Sequence, residues 1–230
     1  IRASLEEGAA DTRTSMSPNE DETSYAVFWN ETDCISVNGI ASESISIQED
    51  RRSAEFTFLK GFESALYAAY PASVVSKYES GALTLLLPNV QTWSESDQFD
   101  PAAAVMLAQA ADGASLRFRH AMAYLRVTLS EASDPEPIAA VVLSANDGSA
   151  LCGAFQATYG SDLWTLTPQE SAASQVELRC GTQGAPLGSR MVIAIPAGEY
   201  AAGLTVQVKD VSGDYQVRKS VNAFTATAGR

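Results

Sequence analysis

From Tyr25 to the end of the chain, short segments in which every second residue is apolar follow one another with little interruption. A period of two lays one side of an extended strand on a core, so the pattern limits the chain to folds built from sheets. Ile35 and Val37 point one way in "CISVNG", Ile45 and Ile47 in "SISI", and Phe56 and Phe58 in "AEFTFL". "ALYAAYP" and "ALTLLLP" are further strands, each stopped by a proline that cannot donate to a ladder. "QVELRC", "RMVIAIPAG", "LTVQVKD" and "YQVRKSV" continue the series, with Leu204, Val206 and Val208 alternating cleanly against Thr205, Gln207 and Lys209. Ser212, Gly213 and Asp214 turn the last two segments into a hairpin. Helical periodicity never lasts long enough to supply crossover helices, which argues against a parallel α/β sheet and for antiparallel sandwiches.

Residues 116–129, "LRFRHAMAYLRVTL", contain the only histidine and a break in the pattern. Leu116, Phe118 and His120 share one parity, whereas Leu125, Val127 and Leu129 share the other, so a β-bulge is expected between them. "PIAAVVLSANDGSALCGAF" reads as a hairpin turning at Asn146, Asp147 and Gly148. "FDPAAAVMLAQAADG" breaks the strand rhythm, and its alanines fit either a short helical turn starting at Pro101 or an extended connection. "ADG" then punctuates the chain, which places a domain boundary at Asp112 and Gly113. The expected organisation is a flexible N-terminal arm over residues 1–24, one β-sandwich over 25–112 and a second over 113–230. Within the arm, Thr12 to Met16 is compatible with a short strand.

Composition narrows the partners. At 46% hydrophobic and 19% charged residues, 230 residues are well supplied for packed cores. Fifteen Lys and Arg against 28 Asp and Glu leave a net charge of −13, which makes attraction to phosphate backbones or anionic lipid unfavourable and nucleic acid an unexpected partner. The acidic loops "SPNEDET" and "WSESDQFD" read as solvated surface, with a divalent-cation site as the competing reading. Cys34, Cys152 and Cys180 lack zinc-site spacing; Cys152 and Cys180 are read either as a pair or as two separate buried thiols. No run approaches the roughly 20 apolar residues of a membrane helix. The chain opens at Ile1 with neither Met nor a signal-peptide pattern, which reads as a mature or trimmed form.

Catalytic signatures are missing. His120 is the only imidazole available to a nucleophile, and no G-x-S-x-G elbow accompanies it. It reads as a packed core residue with one nitrogen bonded to backbone, and a ligand or catalytic role is the other reading. Asp33, Glu55, Asp162 and Glu177 are conceivable glycosidase carboxylates, but surface solvation accounts for each. "GTQGAPLG" has neither the ending nor the setting of a phosphate loop. No catalytic, metal or cofactor site is expected. Trp93 and Trp164 lie in polar surroundings, where each either stacks on a sugar ring or plugs the end of a sandwich.

Taken in order, "TRTSM", "VFWNETDCISVNG", "ALYAAYP", "LPNVQTW", "LRFRHAMAYLRVTL", "IAAVVLSANDGSALCGAF" and "VIAIPAGEYAAGLTVQVKD" resemble the fimbrillin family of Bacteroidetes, the subunits and accessory proteins of major and minor fimbriae. The resemblance runs from about Thr12 onward. It implies an all-β fold of two tandem transthyretin-like antiparallel β-sandwich domains and a non-enzymatic cell-adhesion subunit, exported to the outer membrane or fimbrium. It further implies polymers with other fimbrial subunits, formed when a cut after an arginine removes a strand and a strand from another subunit fills the groove. Arg13 is the position that matches the cut, and an ordinary arm arginine is the other reading. The chain lacks the family's lipid-bearing N-terminal cysteine, so membrane attachment is implied only for a lipidated precursor. A free-standing module for a host or bacterial surface glycan is the alternative function. The tail "YQVRKSVNAFTATAGR" either donates a strand to a neighbour or closes its own sheet.

Overall fold

The computed structural model describes residues 1–5, 28–62, 65–95, 99–111, 115–129 and 136–230. Among these, no α-helix occurs; two single 3-10 turns, at Ala72–Val74 and Pro101–Ala103, interrupt a succession of strands. In chain order the strands are β1 (Arg2–Leu5), β2 (Ser36–Val37), β3 (Ile40–Ala41), β4 (Ser44–Ile47), β5 (Ser53–Thr57), β6 (Leu66–Tyr70), β7 (Val75–Glu79), β8 (Ala82–Leu87), β9 (Val90–Thr92), β10 (Met106–Ala110) and β11 (Ser115–His120). The remainder are β12 (Met122–Thr128), β13 (Ile138–Ala145), β14 (Gly153–Gly160), β15 (Leu163–Pro168), β16 (Gln175–Arg179), β17 (Arg190–Pro196), β18 (Gly198–Tyr200), β19 (Leu204–Asp210), β20 (Tyr215–Lys219) and β21 (Phe224–Ala226).

Their pairing makes an eight-stranded sheet in the order β3-β2-β6-β10-β11-β1-β5-β4, a four-stranded sheet β15-β14-β8-β7 and a five-stranded sheet β20-β19-β13-β16-β9. Two two-stranded pairs, the long β12-β17 and the short β18-β21, complete the set. Most neighbours are antiparallel, but β1 lies parallel to β11 and β9 parallel to β16. Three cores result. The first is centred on Trp29, which is fully buried and meets Phe56, Tyr70 and Phe118 edge-on at 5.2, 5.6 and 5.7 Å while its indole N–H donates to the Arg52 carbonyl. The second joins Ala69 and Leu107 of the eight-stranded sheet to Leu83, Leu85, Phe155 and Ala157 of the four-stranded one. The third lies between the five-stranded sheet, through Val141, Leu143, Val176 and Leu178, and the β12-β17 pair, through Met191, Ile193 and Ile195.

Several expectations change. The first five residues of the supposed arm are ordered: Arg2–Leu5 is β1, with Ala3 buried in the first core. The parity shift after His120 is not a bulge. The chain leaves the eight-stranded sheet at Ala121 and pairs with β17 instead, so the core moves from the even side, at Leu116 and Phe118, to the odd side, where Ala123 is buried and Leu125 and Val127 pack on the third core. Asn146–Gly148 does not close a hairpin either. β13 pairs with β16 and β19, whereas β14 pairs with β8 and β15, so this turn carries the chain between two sheets. Its polar residues serve that crossing: the Asn146 amide donates to the carbonyls of Ala202 and Ser220, and Asp147 accepts from the Ala201 N–H. Asp112 and Gly113 lie outside the described residues, and β8–β14 and β9–β16 ladders join segments from both sides of that position. The turn at Pro101 forms as a 3-10 turn capped by the Asp100 carboxylate on the Ala102 N–H, but the break in rhythm stops there, since Met106–Ala110 is β10 and pairs with β6; β19–β20 forms the final hairpin.

Candidate functional site

β1 occupies the interior of the largest sheet. Arg2, Ala3, Ser4 and Leu5 stand beside Ser115, Leu116, Arg117 and Phe118 of β11, and on the other side Arg2, Ala3 and Ser4 oppose Glu55, Ala54 and Ser53 of β5. The ladder is extended by Ile1, whose ammonium donates to the Phe56 carbonyl at 2.9 Å while its own carbonyl accepts from the Phe56 N–H at 2.8 Å. Side-chain grip is slight by comparison. Ala3 is the only buried side chain of the strand, Ile1 and Leu5 are half-buried, and the Arg2–Glu55 ion pair at 3.0 Å is solvent-exposed, where such pairs contribute at most about 1 kcal/mol. β1 is therefore held chiefly by backbone hydrogen bonds. Taking it away would leave the facing edges of β5 and β11 unpaired and uncover the first core at Ala54, Leu116 and Phe118. A cavity of about 280 Å³ lies over the same strand, lined by Arg2, Ser4, Gln48, Ser53, Glu55 and Ser115 among others.

The residues singled out from sequence are scattered. His120 ends β11 opposite Met106 and is half-buried; its Nδ1 lies 3.1 Å from the Tyr124 hydroxyl. Asp33 accepts from the Tyr70 hydroxyl at 3.0 Å, and burial, reinforced by that carboxylate, pushes the Tyr70 phenol far above its usual range. Glu55 pairs with Arg2, Asp162 accepts from the Tyr159 hydroxyl, and Glu177 pairs with Arg179. Each of these carboxylates has its own local partner, and among the described residues no three His, Cys, Asp or Glu side chains are grouped to hold a metal ion. The three cysteines are free thiols; Cys152 donates to the Gln175 carbonyl, and burial pushes the Cys180 thiol up to about 11. Arg13 lies outside the described residues.

The two tryptophans differ in setting. Trp93 packs on the third core, and its indole N–H donates to the Arg190 carbonyl at 3.1 Å. Two residues earlier, Gln91 is almost wholly buried and clasps Ala194 with both ends of its amide, donating to the carbonyl at 2.7 Å and accepting from the N–H at 2.9 Å. Together they cover the outer edge of β17 with side chains instead of a strand. Trp164 lies on β15 and belongs to a run of half-buried rings, Tyr78, Tyr67, Trp164 and Tyr159, with successive centroids 6.1, 6.3 and 5.4 Å apart. Gly81 makes room for this run, since a Cβ there would stand 3.1 Å from the Tyr67 ring. Sequence reasoning missed β1, because four residues with one alanine carry too little alternation to stand out from "IRASLEEGAA". It also missed Gln91, whose role depends on a residue 103 positions away.

Comparison with solved structures finds two similar proteins from Bacteroides, each described as a "putative cell adhesion protein". The one from Bacteroides uniformis superposes with a TM-score of 0.53 at 13% identity, over 88% of this chain and 84% of its own. The one from Bacteroides ovatus gives 0.47 at 11% identity, over 98% and 88%. No protein-family model matches the sequence, and no curated protein matches it.

Proposed function

We propose that this chain is a non-enzymatic adhesion subunit of a bacterial surface fibre, exported to the outer membrane or fimbrium, and that it assembles with like subunits by strand complementation. The observation that carries the reading is the position of β1. The first strand of the chain sits in mid-sheet, held by backbone bonds and little else, so its departure creates a slot that any extended segment of suitable pattern fills. Arg13 follows β1 in sequence, and a cut after it separates Ile1–Arg13 covalently from the body. The likeness in fold to the Bacteroides uniformis protein supports the same reading, as does the resemblance in sequence motifs to fimbrillins. On this account the sheets form two tandem transthyretin-like sandwiches joined through the middle core, and membrane attachment belongs to a lipidated precursor.

The test is limited digestion with an arginine-specific protease, followed by electrophoresis without boiling. Strand complementation predicts a ladder of oligomers from the parent chain and none from Arg13→Lys. A parent chain that is cut after Arg13 and yields only monomer sinks the proposal.

A second reading, binding of a surface glycan, is favoured by the aromatic run through Tyr67 and Trp164, which ends at the Tyr159–Asp162 hydroxyl–carboxylate pair. Trp93 is less suited, because its N–H is committed to β17. Glycan-array hits that vanish with Trp164→Ala, together with a failed ladder, would move this reading to first place.

A further inference from the structure

The β12–β17 pair has one edge covered by Gln91 and Trp93, and a second edge that, among the described residues, is covered only at its start. Residues 122, 124, 126 and 128 turn their backbone groups away from β17, because β12 and β17 are antiparallel and Tyr124 and its partner Ala194 both bond outward. At the start of that edge the end of the chain lies against it. The Gly229 N–H donates to the Met122 carbonyl at 2.9 Å, and the Tyr124 N–H donates to the Arg230 carbonyl at 2.7 Å. Further along, Arg126 and Thr128 are exposed and have no outward backbone partner among the described residues. Leu125 and Val127, on the inward side of the strand, are only half-buried.

An edge of this kind is self-complementary. In an antiparallel register that sets Leu125 against Leu125 of a second copy, Met122 falls opposite Thr128 and Tyr124 opposite Arg126, so each outward residue meets an outward residue. No like charges face one another, and Leu125 and Val127 gain apolar neighbours. The pairing has two-fold symmetry and joins two β12–β17 pairs into one four-stranded sheet. It needs the Met122 carbonyl and the Tyr124 N–H, which Gly229 and Arg230 occupy.

We propose that residues 227–230 are a latch that keeps β12 from pairing with β12 of a second copy, and that lifting the latch produces a symmetric dimer through this edge. The hold is light. Only Gly229 of the four residues is buried, and it takes a φ of +73° against the His120 ring. Such a latch acts as an edge guard, in the way natural sheets block stray pairing. The inference does not depend on release of β1.

Light scattering after size exclusion tests it, with the full chain and a chain ending at Ala226 compared at equal concentrations. The expected masses are 24.3 kDa for the full chain and about twice that for the shortened one. Adding Arg126→Pro to the shortened chain restores the monomer, because that N–H points out of the ladder and its loss leaves the β17 bonds intact. A shortened chain that is folded by circular dichroism yet monomeric overturns the proposal, as does a dimer that survives Arg126→Pro. If the shortened chain does not fold, Gly229→Val in the full chain forces a β-branched residue into positive φ and lifts the same segment. A dimer then supports the proposal and a monomer overturns it.

Discussion

Replacing Gln91 by alanine removes a clasp between the five-stranded sheet and the β12–β17 pair. The wild-type amide makes two buried hydrogen bonds, both to Ala194. Without it the Ala194 N–H and carbonyl remain buried with no partner, at about 1–3 kcal/mol each, so the expected loss is about 3 kcal/mol. For a chain of this size that corresponds to a fall in Tm of roughly 6–12 °C. Hydrogen exchange isolates the cause. The Ala194 amide is protected by the Gln91 side chain and not by a ladder, so its exchange should accelerate on the order of 100-fold if about 3 kcal/mol is lost locally. Gln91→Glu keeps an acceptor for the N–H but cannot donate until it is protonated. Burial raises that carboxyl's pKa, so this variant should recover stability as the pH falls through it, opposite to the usual trend for a surface carboxylate. A Gln91→Ala protein within about 0.5 kcal/mol of the parent, with Ala194 protection unchanged, would refute the reasoning, because that is the range of neutral surface changes.

Trp29→Ala should cost about 3–5 kcal/mol in urea unfolding, since it empties the centre of the first core where three rings meet the indole. Trp93→Phe keeps the packing and removes one indole bond, for about 1 kcal/mol. Cys180 has a thiol raised by burial from near 9 to about 11, so a thiol reagent at pH 8 should label it only as the chain unfolds. The native state holds that proton more tightly than the unfolded chain does. Its contribution to stability is thus complete below pH 9 and lost as the pH rises to about 11, which urea midpoints across that window would reveal.

The all-β character was legible because alternation is a local signal, and segments such as Leu204–Asp210 carry it without help from the rest of the chain. Partner choice was not. Asn146–Gly148 has the residues of a tight turn, yet those residues serve equally well where a chain crosses between sheets, so composition did not separate the two. The parity slip near His120 was visible, but its cause was a change in the side on which the core lies, which becomes apparent only when β17 is in place. The flanks of Trp164 are polar in sequence because Thr165 and Thr167 are the outward half of a strand whose inward half, Trp164 and Leu166, packs on the middle core. The slot held by β1 depends on two strands about 50 and 115 residues downstream, and no pattern within "RASL" announces them.

The account rests on β1 being replaceable, and hydrogen exchange of the β5 and β11 amides before and after a cut at Arg13 tests that most directly. The prediction is protection in the intact chain, loss of protection in dilute cut monomer as Ile1–Arg13 leaves, and its return in the oligomer. Amides that stay protected with the fragment still bound to the cut monomer, or that remain open in the oligomer, would contradict it.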